Sequence, residues 1–183
     1  NPLMRIISGT NRGKRIIAPK KLPVRPTTDM AKEALFNIIG NQYYFNEISF
    51  VDLFAGTGNI SYEFASRGTE QIVSVDADFG CVKFINQIAK ELDFNISTIK
   101  SDVFSYLQKA SFKSDIIFAD PPYDMSLEDF SKIPELVFKN DLLLENGVLI
   151  IEHSKYTDLS GLEHFTNQRR YGVSVFSFFE QSS

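Results

Sequence analysis

One cysteine and two histidines are all that the 183 residues offer to thiol or soft-metal chemistry. Cys81 alone cannot close an intramolecular disulfide, and with only His153 and His164 beside it a cysteine–histidine zinc site is not expected. Its expected role is a structural position on a helix. The chain also lacks any run of about eighteen apolar residues of the kind that spans a bilayer. It shows no charged-then-apolar leader ending in small residues, so the expected location is the cytoplasm, with no membrane partner. Acidic residues are missing altogether from residues 1–28, which carry Arg5, Arg12, Lys14, Arg15, Lys20, Lys21 and Arg25. The net charge of −4 therefore hides a chain that is basic at one end and acidic elsewhere. Such an end suits phosphate contacts, which would make binding salt-dependent.

What the chain has is a hydrophobic content of 43%, with seventeen phenylalanines, enough for one aromatic-rich core. A single domain is expected over residues 1–183, with a basic hairpin or arm at 4–27 and a catalytic core at 28–183. The three residues ahead of Met4 are set aside from the fold reasoning. Met4–Ser8 and Lys14–Ala18, flanking Gly9-Thr10-Asn11-Arg12-Gly13, predict a hairpin. A three-proline stretch, Ala18 to Pro26, separates it from the body. Thr28 or Asp29 then caps a helix running to about Ile39, with Ala31, Ala34, Leu35 and Ile38 on its apolar face.

From Ile48 onward strands and helices alternate. Strands are predicted at Ile48–Leu53, Gln71–Asp76, Ile96–Lys100, Asp115–Ala119 and Gly147–His153. Helices are predicted at Ile60–Arg67, Phe79–Leu92, Val103–Lys109 and roughly Leu127–Phe138. Glu163–Arg170 and Val173–Phe179 read as a closing hairpin across Tyr171-Gly172, its phenylalanines packing core and edge. This is α/β architecture wound around a mostly parallel sheet of seven strands with an antiparallel edge.

Chemistry concentrates at strand ends. Asp120-Pro121-Pro122-Tyr123 follows the apolar run Asp115–Ala119. A carboxylate and a carbonyl held by two prolines can each accept a hydrogen bond from a planar NH2 group, while the tyrosine ring stacks on the attached base. Asp52-Leu53-Phe54-Ala55-Gly56-Thr57-Gly58 closes another apolar run and opens a helix. Asp52, Asp76, Asp102 and Asp120 all fall at or just after strand ends, where ligands of open α/β sheets collect. Gly56 and Gly58 let the backbone approach a ligand, and Asp76 lies twenty residues beyond Gly56, the spacing at which an acid meets ribose hydroxyls. A nicotinamide site fits less well, because Ser61 stands where the dinucleotide fingerprint has its third glycine and Asp52 would crowd a pyrophosphate. Asp52 suits the cationic amino-acid end of S-adenosylmethionine better. A bland reading remains open for Asp76 and Asp102, as helix caps, and for Glu152-His153, as a satisfied strand-end pair.

Taken together these residues resemble the RsmD family of 16S ribosomal RNA guanine-N2 methyltransferases. The likeness rests on Arg5-Ile6-Ile7-Ser8-Gly9 with Gly13, Arg25-Pro26-Thr27-Thr28-Asp29, Lys32–Asn37, Asp52–Gly58, Ser66-Arg67-Gly68, Asp120–Tyr123 and Tyr171-Gly172, in family order. It departs at Thr57 and Asp76, where the family more often has serine and glutamate. The resemblance implies a Rossmann-like class I methyltransferase fold using S-adenosylmethionine. The implied partner is 16S rRNA within the small ribosomal subunit or its assembly intermediate, and a monomer suffices. The implied cofactor residues are Asp52, Phe54, Ala55, Gly56, Thr57, Gly58, Asp76, Ala77, Asp102 and Val103. Asp120, Pro121, Pro122 and Tyr123 are the implied catalytic residues, and Arg5, Arg12, Lys14, Arg15, Arg25 and Thr27 the RNA contacts. Two rivals are a DNA adenine-N6 methyltransferase and an inactive RNA-binding assembly factor. A pyrimidine-C5 enzyme would need a cysteine nucleophile at a strand end, and Cys81 is not placed as one.

Overall fold

The computed structural model describes residues 3–24 and 26–182. Its elements are β1 (Leu3–Arg5), β2 (Arg15–Ile17), α1 (Asp29–Gln42), a 3-10 turn (Phe45–Glu47), β3 (Ser49–Leu53), α2 (Asn59–Ser66), β4 (Gln71–Asp76) and α3 (Phe79–Leu92). They continue with β5 (Ile96–Lys100), α4 (Val103–Lys109), β6 (Ser114–Ala119), α5 (Leu127–Lys139), β7 (Leu143–Ser154), β8 (Phe165–Tyr171) and β9 (Ser174–Phe179). Seven strands form one sheet in the order β5-β4-β3-β6-β7-β9-β8. β3 to β7 run parallel, while β9 is antiparallel to both of its neighbours. This is the α/β architecture around a mostly parallel sheet that the alternation predicted, and the Rossmann-like fold that the resemblance implied.

Strand alternation sends successive side chains to opposite faces, and each face has its own helices. Phe50, Ile72, Ile116, Phe118 and Ile150 meet α1 and α2 on one side. Val51, Leu53, Ile117, Ala119, Leu149 and Ile151 meet α4 and α5 on the other. Phe64 centres the first layer, stacked on Phe50 at 3.8 Å and edge-on to Phe36 at 4.8 Å. Truncating such a buried ring typically costs about 3–5 kcal/mol.

The hairpin is attached to the body rather than separated from it. Leu3, one of the residues set aside ahead of Met4, pairs with Ile17 and so enters the strand. Met4, Ile6, Ile16, Ala18 and Leu22 pack with Tyr62 of α2 and Cys81, Phe84 and Ile85 of α3. Polar contacts run alongside. Glu63, fully buried, accepts hydrogen bonds from the Ile7 and Ser8 amides at 2.9 and 3.0 Å. Its carboxylate also meets Lys32 Nζ at 3.2 Å and Arg67 Nε at 2.8 Å. Gly9 explains its own identity here. At φ +92°, a Cβ would lie 1.9 Å from the Ser66 carbonyl, so no other residue lets the loop close on the end of α2.

This cluster shifts the face expected for α1. Its buried residues are Ala31, Lys32, Leu35, Phe36 and Ile39, with Ala34 and Ile38 only partly covered. A lysine took an interior position because its partner carboxylate comes from α2. Among the described residues no helix is long and apolar enough to cross a membrane.

Candidate active site

The winding reverses between β3 and β6, so their carboxyl ends adjoin and open one crevice. The Asp120 amide donates to the Leu53 carbonyl at 3.3 Å, which sets the Asp120-Pro121-Pro122-Tyr123 segment directly beside the glycine turn. Within that turn Phe54, Gly56 and Gly58 all take positive φ, at 58°, 58° and 90°. Ala55 N bonds Val75 O and Gly58 N bonds Ala55 O, each at 2.9 Å, so the turn is rigid and anchored to β4. Gly58 then caps α2, whose first amides point toward the crevice. A Cβ at Gly58 would strike the Tyr62 ring at 2.5 Å.

The acids do not share one environment. Asp76 is half-buried, its Oδ2 accepting from Gly56 N at 2.8 Å and its Oδ1 from Asp78 N at 2.9 Å. Burial raises its pKa, with those two amides opposing the rise. Asp102 is exposed and caps α4 through Ser105 N, the bland role. Asp52 is not on the rim. It lies one residue inside β3, 2% exposed, with Oδ2 on Ser61 Oγ at 2.6 Å and Ser61 in turn on Ser74 at 2.7 Å. Desolvation pushes its pKa from 3.8 up to about 7, the Ser61 hydroxyl holding it back.

Pro121 is buried, whereas Tyr123 presents a ring that is 66% exposed. The loop closes by Met125 N on Pro122 O at 3.0 Å and by Ser126 capping α5. The arrangement can hold a flat amine against a carboxylate and a carbonyl at the lip of the glycine turn. It also fits an adenosyl cofactor. Half-buried Asp76 and exposed Asp102 offer acceptor oxygens for hydroxyl and amine groups, Val103 gives an apolar floor, and the glycines admit close backbone approach.

Several expected RNA contacts are placed elsewhere. Thr27 is buried, its hydroxyl donating to Glu152 Oε1 at 2.6 Å, so it is a structural link. Ser174 Oγ takes the other Glu152 oxygen at 3.0 Å, and His153 is held by Ser154 O and Ser177 Oγ. Glu152-His153 is thus the satisfied pair. Burial raises the Glu152 pKa and lowers that of His153. Arg5 pairs with Asp29 at 3.0 Å, while Arg12, Lys14 and Arg15 are exposed. Arg25 lies outside the described residues.

The hairpin follows α2 from end to end. Thr57 Oγ1 meets Met4 Sδ at 3.4 Å near the crevice, and Thr10 N meets Ser66 O at 2.8 Å at the far end. The tip bearing Arg12 and Lys14 is therefore set back from the crevice by about 12 Å of helix.

Enclosed volume lies elsewhere too. One cleft of about 310 Å3 opens at the amino ends of the strands, between Ser49, Gln71, Asn95, Tyr106 and Lys113. Another, of about 110 Å3, lies between α1 and β8. Neither touches the glycine turn, and neither brings together groups able to do chemistry. Among the described residues no cluster of three or more His, Cys, Asp or Glu is placed to hold a metal.

Glu63 is the residue that sequence reasoning missed. A lone carboxylate among Tyr62, Phe64 and Ala65 in a short helix was the available signal.

Residues 4–180 match the family model described as conserved hypothetical protein 95. YlbH of Bacillus subtilis, provisionally named an rRNA methyltransferase, is 31% identical, covering 97% of this chain and 99% of its own. The ribosomal RNA small subunit methyltransferase D of Buchnera aphidicola is 30% identical, covering 81% and 75%. Among solved structures, the Thermus thermophilus 16S rRNA N2 methyltransferase RsmC, in complex with AdoMet and guanosine, shares the fold. Its TM-score is 0.75 at 17% identity, over 98% of this chain and 50% of that one.

Proposed function

The chain belongs to the conserved hypothetical protein 95 family, that of ribosomal RNA small subunit methyltransferase D, and we propose that it methylates the exocyclic N2 amine of a guanine in 16S rRNA. Methylation of rRNA with S-adenosylmethionine is the activity that membership carries. Transfer to an exocyclic amine is supported by one observation above all, the Asp120 amide bonded to Leu53 O, which sets the Asp120–Tyr123 segment beside the glycine turn. Guanine N2 is the finer reading that the family likeness favours.

S-adenosylmethionine, when bound, supplies a methyl carbon made electrophilic by a sulfonium. Phe54 to Gly58 would hold its amino-acid end over Asp52, Asp76 its ribose, and Ala77, Asp102 and Val103 its base. The guanine amine is a weak nucleophile, because its lone pair is delocalised into the ring. The protein's task is alignment. Asp120 carboxylate and Pro121 carbonyl accept the two N–H bonds, which turns the nitrogen lone pair toward the glycine side of the crevice. Tyr123 stacks on the base, which must leave its own helix or loop stack to arrive there. The proton released is one that Asp120 already holds by a hydrogen bond. Hairpin 4–27 and core 28–183 act as one unit, joined through Glu63. The protein works as a monomer in the cytoplasm, on the small subunit or its assembly intermediate, with the basic hairpin residues as outlying phosphate contacts.

The test is transfer of labelled methyl from S-adenosylmethionine to small subunits or 16S RNA from cells lacking the activity, followed by digestion to nucleosides. N2-methylguanosine is expected. Label in N6-methyladenine of a DNA control, or no label despite cofactor binding, would overturn the reading.

A further inference from the structure

The carboxyl rim divides by charge. Asp76 and Asp102 follow β4 and β5 on one half, beyond the glycine turn. On the other half, the loop after β7 carries Lys155 and Tyr156. The register Ser154 with Ser174 and Tyr171 with Ser174 brings the β8–β9 turn, with Arg170 and Val173, to the same end. β7 adjoins β6, whose carboxyl end leads into Asp120–Tyr123.

This second half is unlike an ordinary solvated surface. Tyr156 is 86% exposed and Val173 75%, and Met30, 61% exposed, lies against the Gly172 turn. Lys155 Nζ stands 5.1 Å above the Tyr156 ring. Arg170 is folded back on Gly172 O at 3.1 Å. Among the described residues neither cation is in an ion pair. Of the two acids between β7 and β8, Asp158 is bound to Ser160 through both N and Oγ, and Glu163 lies just before β8, at the opposite end of the sheet. An exposed aromatic ring beside cations outside any ion pair matches the stacking platforms and phosphate contacts of single-stranded nucleic-acid sites.

We propose that the β7 loop and the β8–β9 turn form the surface that receives the single-stranded RNA flanking the target base. Tyr156 stacks on a neighbouring nucleotide, and Lys155 and Arg170 meet its phosphates. The surface rests on reading the partner as RNA and is independent of which atom is methylated. It places the strand at the crevice itself, whereas the hairpin tip with Arg12 and Lys14 faces the far end of α2.

Binding of a fluorescein-labelled single-stranded RNA of about ten nucleotides to the full chain, followed by anisotropy across a salt series, tests this. Tyr156→Ala is expected to weaken binding about tenfold, the loss of one stacked base. Lys155→Gln with Arg170→Gln should flatten the dependence of log Kd on log salt by about one unit per charge. Lys83→Gln with Lys90→Gln, two exposed lysines of α3, should leave the short RNA bound as before. Unchanged affinity in Tyr156→Ala, an equal loss in the α3 variant, or no binding by the wild type would each overturn the proposal. Tyr156 is exposed, so an unchanged melting curve verifies that its variant is folded. Tyr156-dependent binding without N2-methylguanosine formation would refute the proposed reaction and leave this surface standing.

Discussion

Lys32 Nζ lies 3.2 Å from Glu63 Oε1 with the two side chains 1% and 0% exposed, an ion pair closed inside the junction of α1, α2 and the hairpin. Lys32 also donates to Arg5 O at 2.7 Å and Asn59 Oδ1 at 2.9 Å. Burial pulls the Lys32 pKa down and Glu63 opposes it. Among the described residues, removing the Glu63 charge leaves Lys32 buried with neutral acceptors only, and removing Lys32 leaves Glu63 buried with Arg67 as its one cation. Glu63→Gln or Lys32→Met should therefore destabilise the protein by about 3–5 kcal/mol, read from urea unfolding. Loss of less than about 1 kcal/mol would mean that the pair does not hold the hairpin.

Asp52 predicts a pH signature. Its folded pKa of about 7 stands above the ordinary 3.8, so the folded state binds more protons than the unfolded one between those values. Stability contributed by this group is present below pH 3.8, declines as pH rises and is lost above about pH 7. Asp52→Asn removes the titration and keeps an acceptor for Ser61. The variant should gain on the wild type as pH rises through that window, by up to about 1.4 kcal/mol for each step of one pH unit, read from urea unfolding at a series of pH values. A pH-independent difference would show that Asp52 is not held at a raised pKa.

Tyr62 is a defect in the packing. Among the described residues its hydroxyl is buried with no hydrogen-bond partner. Tyr62→Phe should stabilise by up to about 1 kcal/mol, since an unsatisfied buried donor is removed without a cavity. A destabilised variant would reveal a partner for that hydroxyl.

Gly58→Ala should be damaging for two reasons, φ +90° and a Cβ 2.5 Å from the Tyr62 ring. Pairing it with Tyr62→Leu should recover part of the lost melting temperature, because the clash goes while the backbone strain stays. Full recovery would make the φ requirement negligible.

Much of this was legible in local signals. β4, α3, β5 and α4 run as their caps and turn residues dictate, with Asp78 and Asp102 bonding the amides of Cys81 and Ser105. The crevice was legible because strand ends in a wound sheet converge whatever their sequence. What stayed hidden depends on partners distant in the chain. β7 begins at Leu143, ahead of the expected Gly147, because Ser114 already pairs with Leu143 and the extra residues of β7 bulge out before Ile116 meets Val148. Lys32 became buried through Glu63, thirty-one residues later. Thr27 turned inward because Glu152 lies across the sheet end, 125 residues away.

Asp120 carries the central claim. Single-turnover methyl transfer by Asp120→Ala, with S-adenosylmethionine affinity measured by calorimetry on the same preparation, tests it most directly. Transfer should fall by about 100-fold or more, as for removal of a preorganised hydrogen-bonding group, while cofactor affinity stays within about twofold. Near-normal transfer, or a loss explained wholly by weaker cofactor binding, would contradict the role of Asp120 in gripping the amine.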